Sequence, residues 1–496
     1  MKTRVTILIL IGVFIQSCYK EEALFDGLPD EILEMPLLLK IDGKDCFYDA
    51  ATRTLRYPIA TDFVIDFSPF IEFQDYSTVY FNGLLLKNKS VNRLGVIRLG
   101  EGYEISILVA GKETIMTLFF TNLPVIRINT RNQIYDEPEI VAKITVNYPE
   151  TDKETVSSFI KIEQRGYTAL NYPKKSYGFD FIEQTNLREE VSRSLFGLKS
   201  NKSWILDAAY KDPARMRNKV SFGLWSRFTG EGHYAIHPEF VELFINNEHQ
   251  GLYCLSEPMN SEHLDLYNPG DVLYFAKVWA DGATQFQTLE GVPPDYYYWD
   301  GWEQKYPDPK EKINWEPLYN LRLLTVNGNN AEFISEIGNL IDIDSFIDYY
   351  ILLNLLSAFD NTGKNMMLIK RNADDKLSVI PWDLEASWGI SWTGDRISYT
   401  TLMSNHLYDR LLELNPNDFK NKLKIRWFNL RNTVIIPSEI QSLFNTNFSY
   451  LIKSGVINIE NRRWESGIQH EEEREYINEW VARRIEFLDG YFSGMK

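Results

Sequence analysis

The sequence predicts an α+β chain: an all-β, immunoglobulin-like sandwich, then a larger two-part domain, strand-rich first and helical after. Three observations carry this. Short apolar runs separated by turn signals fill 31–122. Further strand patterns, broken by one helix, continue to about 260, and helical periodicity dominates from 344 onward. A length of 496 residues leaves room for two or three domains. The net charge of −17 argues against a nucleic-acid partner, because binding a phosphate backbone needs a basic surface.

Residues 1–17 read as a targeting leader. Lys2 and Arg4 supply its positive start, and the apolar run 5–15 is short for a bilayer span. Ile15-Gln16-Ser17-Cys18 resembles a bacterial lipobox, which would make Cys18 the lipidated first residue of the mature chain. An ordinary leader with a chance cysteine is the bland alternative. Tyr19-Lys20-Glu21-Glu22 resembles the acidic tags that send some Gram-negative lipoproteins to the outer face. The expectation is a protein of the cell envelope, held at the outer membrane by lipid, with surface exposure as the further reading. Residues 18–30 form the tether. Cys46 and Cys254 fall in different expected domains, so no disulfide framework is expected.

The sandwich rests on runs such as Phe63-Val64-Ile65, Val79-Tyr80-Phe81 and Thr117-Leu118-Phe119-Phe120. Turns at Asn82-Gly83 and Ala110-Gly111 separate them. It carries no site chemistry, and spacing or docking the next domain is its expected task.

The second domain spans 123–496, with a small lobe over 123–260 and a large helical lobe over 261–496. Strands at 125–129, 142–146 and 159–163 lead to Gln164-Arg165-Gly166-Tyr167-Thr168, then Pro173-Lys174-Lys175-Ser176-Tyr177-Gly178-Phe179. A strand, a glycine turn and a lysine-bearing strand are the parts that a kinase uses to cover phosphates and place a lysine on them. Lys175 shares a strand face with Tyr177 and Phe179, so an inward Lys175 needs an anionic partner. It is preferred over Lys174; the alternative is that both lysines guard a sheet edge. Asp212-Pro213 predicts a helix start, followed by the stripe Met216, Val220, Leu224 and Phe228. Arg217 on that helix would reach phosphate or an active-site carboxylate. A hairpin over 240–245 and 251–257 ends at Glu257, which contacts nucleotide or makes a salt bridge. Lys277 is a second candidate phosphate lysine. The aromatic stretch 282–325 reads as an elaborated loop, either docking a substrate or packed as an insertion.

A helix with the face Phe346, Ile347, Tyr350, Ile351 and Leu355 delivers Asp360. Met366-Met367-Leu368-Ile369 and Leu377-Ser378-Val379-Ile380 then read as two buried strands of a tight hairpin. Asn365 opens the first strand, and Asp383 and Glu385 follow the second. The hairpin therefore brings Asn365 beside Asp383, with Asp360 nearby. Hard oxygen ligands converging this way suit Mg²⁺. Protein kinases use an Asp, an Asn five residues on, and a later Asp after a hairpin for the same task. The bland alternative makes Asp360 a turn cap and Asp383 a solvated loop residue. Six histidines form no metal-ligand cluster, His233 and His237 lying in a glycine-containing loop, and no Gly-x-Ser-x-Gly elbow occurs.

The segments D-N-x-x-x-N at Asp360–Asn365 and P-W-D-L-E-x-x-x-G at 381–389 resemble the signature of the CotH kinase family, an atypical protein-kinase-like group. Its second motif is usually W-D-x-D, and Glu385 stands here for the second Asp. The family's Arg-Gly-x-Ser-Ser loop aligns with Arg165-Gly166-Tyr167-Thr168-Ala169, its Lys-Lys-Ser-Tyr strand with 174–177, its Met-Arg-Asn helix with 216–218 and its Gly-x-Tyr-x-x-x-Glu run with 251–257. The resemblance covers about 124–490. It implies an atypical kinase-like fold and transfer of phosphate from ATP, with Mg²⁺, to Ser or Thr of a protein or peptide substrate. Asp360 would orient the acceptor hydroxyl. Asn365 and Asp383 would hold the metal, with Glu385 in support, and Lys175 would neutralise phosphate. Two alternatives stand beside it: a surface lipoprotein that keeps the shell as a binding or scaffold module without activity, and transfer of AMP in place of phosphate.

Overall fold

The structure, a computed structural model, describes residues 39–184, 186–228 and 234–495. The expected leader, Cys18, the tether and His233 lie outside the described residues. Two compact units emerge. The first runs through Ala208 and adds Glu239–Ser256 and Tyr450–Gly467; the second comprises Ala209–Pro238, Glu257–Ser449 and Ile468–Lys496.

The first unit is strand-rich. Its N-terminal part centres on a six-stranded sheet in the order Phe47–Asp49, Thr54–Pro58, Lys112–Thr121, Gly102–Val109, Ser77–Phe81, Leu84–Leu85. Shorter four- and two-stranded sheets accompany it, and Leu55, Val79, Ile97, Ile105 and Leu118 fill the core. The runs are short because turns such as Asn82-Gly83, both at positive φ, interrupt them. The remainder is a closed barrel: Val125–Asn129, Ile140–Asn147, Val156–Arg165, Ser176–Ile182, Ser203–Asp207, Glu248–Ser256 and Glu239–Ile245. Parallel pairing of Val125–Asn129 with Glu239–Ile245 closes it. That long-range pairing has no local sequence signal, so the expectation reached the strands without the closure. Buried charge ties the two parts of this unit together. Arg56 Nε donates to Glu242 Oε2 at 2.8 Å, and His249 Nε2 lies 3.0 Å from the same oxygen. Cys46 and Cys254 are both buried.

The second unit holds a five-stranded sheet in the order Tyr298–Trp299, Trp302–Tyr306, Val272–Ala276, Met366–Lys370, Ser378–Pro381. The stretch 282–325, expected as a loop, therefore supplies two strands of the sheet and most of the helix Glu316–Asn327. Part of its aromatic content packs inward: Trp302 is fully buried and Trp315 stacks on Tyr274, while Tyr296 and Tyr297 stay exposed. The helix Ile343–Leu356 begins where the Asp342 side chain accepts from the backbone N–H of Asp344 and Ser345, and stops at Ser357 in the left-handed region. Apart from Asp344 its residues are buried, so it reads as hydrophobic nearly all round. The helices His406–Leu414, Phe419–Arg431 and most of Pro437–Ser454 follow, and His470–Ser493 is the last helix described. No helix among the described residues is long and apolar enough to cross a membrane.

Candidate functional site

The site is built on the turn between the helix Ile343–Leu356 and the strand Met366–Lys370. Asp360–Thr362 forms one 3₁₀ turn, and the backbone N–H groups of Gly363 and Lys364 both donate to the Asp360 carbonyl. Asp360 itself is only 6% exposed, and Lys364 Nζ sits 3.1 Å from its Oδ2. Gly363 is needed for space rather than for backbone freedom. A Cβ there would lie 2.1 Å from Trp279 Cζ3, so only glycine admits the indole.

The hairpin pairs Met366 with Pro381, which sets Asn365 opposite the chain leaving the second strand. Asn365 Nδ2 lies 3.4 Å from Asp383 Oδ2. Asn365 is buried and Asp383 exposed, and both adopt positive φ, at 54° and 46°. Left-handed backbone at non-glycine residues is uncommon, and Asn and Asp tolerate it best. Asn361 secures the crossing: its Nδ2 donates to the carbonyls of Asn365 and Trp382, each at 2.8 Å. Tyr349 Oη in turn donates to the Asn361 carbonyl at 2.9 Å. Reading from the sequence passed over Asn361, although it stands inside the quoted D-N-x-x-x-N.

The segment after Asp383 is clamped by the Met-Arg-Asn helix, which spans Arg217–Trp225. Leu384 N donates to Asn218 Oδ1 at 3.0 Å. Arg217 Nε donates to the Ser387 carbonyl at 2.9 Å, and Trp388 Nε1 to Ser221 Oγ at 2.8 Å. Glu385 Oε1 accepts from the backbone N–H of Lys211 and Asp212, at 3.1 and 2.9 Å. Arg217 is fully buried and pairs with Asp212 at 2.6 Å and with Glu473. Burial works against its charge, but those two carboxylates hold it above its ordinary value. The carboxylates that Arg217 meets, Asp212 and Glu473, are not among those expected in the site. The helix starts later than the sequence suggested. Asp212 lies upstream, its carboxylate gripping the N–H groups of Ala214, Met216 and Arg217, because Arg217 locks that oxygen pair in place.

Glu257 is buried and paired with His237, accepting from its backbone N–H and lying 3.1 Å from Nδ1. Burial raises this carboxyl, but the His237 hydrogen bonds prevail and leave it below the usual carboxylate range. Lys277 is half exposed and 3.0 Å from Glu303.

The remaining candidates belong to the strand-rich unit. The inward lysine is Lys174, not Lys175: Lys174 is fully buried just ahead of the strand that begins at Ser176. Lys174 Nζ donates to the carbonyls of Ala208 and Leu252 and meets Glu460 Oε1 at 2.8 Å. Its anionic partner is thus Glu460, on the helix Val456–Trp464, which no local signal singled out. Lys175 donates to the Leu170 carbonyl at 2.6 Å. Arg165 ends its strand opposite Ser176.

Asn365 and Asp383 offer one amide and one carboxylate side by side, and Mg²⁺ is commonly held by one or two such groups together with substrate phosphate. Among the described residues no three His, Cys, Asp or Glu side chains gather as a metal cage.

The family model described as CotH kinase protein matches residues 162–488. The inner spore coat protein H of Bacillus subtilis (strain 168) is 24% identical over 323 residues, covering 64% of this chain and 79% of that protein. The matched span includes Asp360, Asn365, Asp383, the clamp helix and Glu460. The chain belongs to the CotH kinase protein family.

Proposed function

We propose that the protein transfers the terminal phosphate of ATP to a Ser or Thr hydroxyl of a protein substrate at the cell envelope. The observation that supports this most is the pair Asn365 and Asp383, held 3.4 Å apart by left-handed backbone and anchored by Asn361. Backbone strain of this kind persists where the surroundings enforce it, often at functional sites. Asp360 orients the acceptor hydroxyl and takes its proton as the oxygen bonds to the γ-phosphorus. The bond from phosphorus to the bridging oxygen breaks, and ADP leaves. Asn365 and Asp383 would hold Mg²⁺, and Glu385 fixes the loop that carries Asp383. When bound, the metal neutralises charge on the phosphates. Cys18 carries the lipid that keeps the chain at the outer membrane.

Asp360→Asn tests the reaction. Mg²⁺-dependent ATP turnover on envelope extract should fall by about 10²–10³ while the far-UV spectrum stays unchanged. Equal turnover in variant and parent rules the assignment out. Intact-mass shifts of the labelled product separate phosphate from AMP.

A second reading is a binding or scaffold module without activity. One observation favours it: the three donors of Lys174 are all engaged inside the protein, by Ala208, Leu252 and Glu460. Absence of binding heat with millimolar ATP and Mg²⁺ would favour this reading.

A further inference from the structure

An exposed aromatic pair stands next to Asp360. Trp279 and Phe359 stack with ring centroids 5.7 Å apart and planes inclined by 29°. Trp279 is 37% exposed and Phe359 56%, although the helix leading to Phe359 is buried almost throughout. The placement is built in from two sides. Lys277-Val278-Trp279 leaves the strand Val272–Ala276, whose Ala276 carbonyl receives the Asn365 N–H at 2.9 Å. The indole then lies against Gly363, where any side chain would collide with it. Phe359 immediately precedes Asp360 in the chain. Stacked on each other, the two exposed rings form one joined apolar surface rather than two scattered side chains.

We infer that Trp279 and Phe359 form the seat for an apolar or aromatic side chain adjacent to the acceptor hydroxyl of a polypeptide substrate. This rests on the phosphoryl-transfer reading for its orientation. An in-line transfer puts the attacking oxygen and the departing ADP on opposite sides of the phosphorus. The acceptor therefore approaches from the Asp360 side, opposite the departing ADP. An extended peptide advances about 3.3–3.6 Å per residue, close to the ~3.8 Å between successive Cα atoms. A substrate whose hydroxyl meets Asp360 thus brings a neighbouring residue over Phe359. The platform selects an acceptor flanked by a large apolar residue over one flanked by a small or charged residue.

The test uses two fluorescently labelled peptides that differ only in Phe or Ala beside a central Ser. Anisotropy is read on the full chain and on Trp279→Ala and Phe359→Ala. The parent should bind the Phe peptide about tenfold more tightly, the worth of burying one such side chain. Both variants should lose that preference. Equal binding of the two peptides to the parent overturns the proposal, as does a preference that survives in both variants. Phe359→Ala keeps the test valid should Trp279→Ala loosen the turn at Gly363. ATP turnover is measured separately. A parent without turnover but with the Phe preference supports the seat and overturns phosphoryl transfer instead.

Discussion

The proposed chemistry rests on Asn365 and Asp383, and both take backbone angles that most side chains avoid. Asn361 is what keeps them there. Asn361→Ala removes two hydrogen bonds and strands the Trp382 carbonyl, which should cost about 1–3 kcal/mol in urea titration. A loss within error of zero would show that the turn holds itself. Glu242 offers a second check at this scale, in the strand-rich unit. Burial pushes its carboxyl up, but Arg56 and His249 outweigh burial and hold it down to about 2. The ordinary value in an unfolded chain is about 4.3. The folded pKa is the lower one, so the stabilisation is fully present above about 4.3 and is lost as pH falls through about 2. The gap amounts to about 3 kcal/mol. Thermal melts of the parent and Glu242→Gln should differ most at neutral pH and converge toward pH 2; a difference independent of pH would contradict the pairing. The proximity of Asn365 and Asp383 was legible in the sequence, because hairpin register follows from strand lengths and pattern. Asn361 was not, because a carboxamide that grips two carbonyls looks like any other turn asparagine.

Among elements, the helix Arg217–Trp225 does the positioning. It reaches Leu384 through Asn218, Ser387 through Arg217, and Trp388 through Ser221. Gly389 then lets the chain turn at φ 90°, under Tyr476, whose Oη donates to its carbonyl at 2.6 Å. Arg217→Met would leave the buried Asp212 carboxylate without its cation and Glu473 with Arg396 alone. Such a change should cost about 3–5 kcal/mol in chemical denaturation; a loss below about 1 kcal/mol would mean that the loop is held otherwise. Of the expected stripe Met216, Val220, Leu224 and Phe228, all four are buried, but only Val220 and Leu224 lie within the helix. The later helix start was not legible, since it depends on the Arg217–Asp212 pair. The stretch 282–325 misled for a physical reason: its proline and aspartate density reads as loop, while the pairing that makes 298–306 a hairpin comes from the neighbouring strand Val272–Ala276.

At the scale of the whole molecule, 450–467 belongs with the strand-rich unit despite lying near the C-terminus. Glu460 anchors it there, accepting from Leu252 N at 2.7 Å as well as from Lys174. Gly251, at φ 89°, lets it in, for a Cβ would lie 2.2 Å from Glu460 Oε1. Lys174→Met should destabilise the chain by about 3–5 kcal/mol, and Lys174→Met with Glu460→Leu should recover most of that loss. Additive losses in thermal denaturation would contradict a shared pair. The order of strand-rich and helical regions was legible from periodicity. Barrel closure and the return of 450–467 were not, because both join residues far apart in sequence.

The central claim is that Asn365 and Asp383 together hold a nucleotide-bound divalent cation. Calorimetry of ATP into the full chain, with and without Mg²⁺, tests it most directly, repeated on Asp383→Ala. Binding should require Mg²⁺ in the parent and disappear in the variant. Binding that is equal in the two proteins, or indifferent to Mg²⁺, would contradict it.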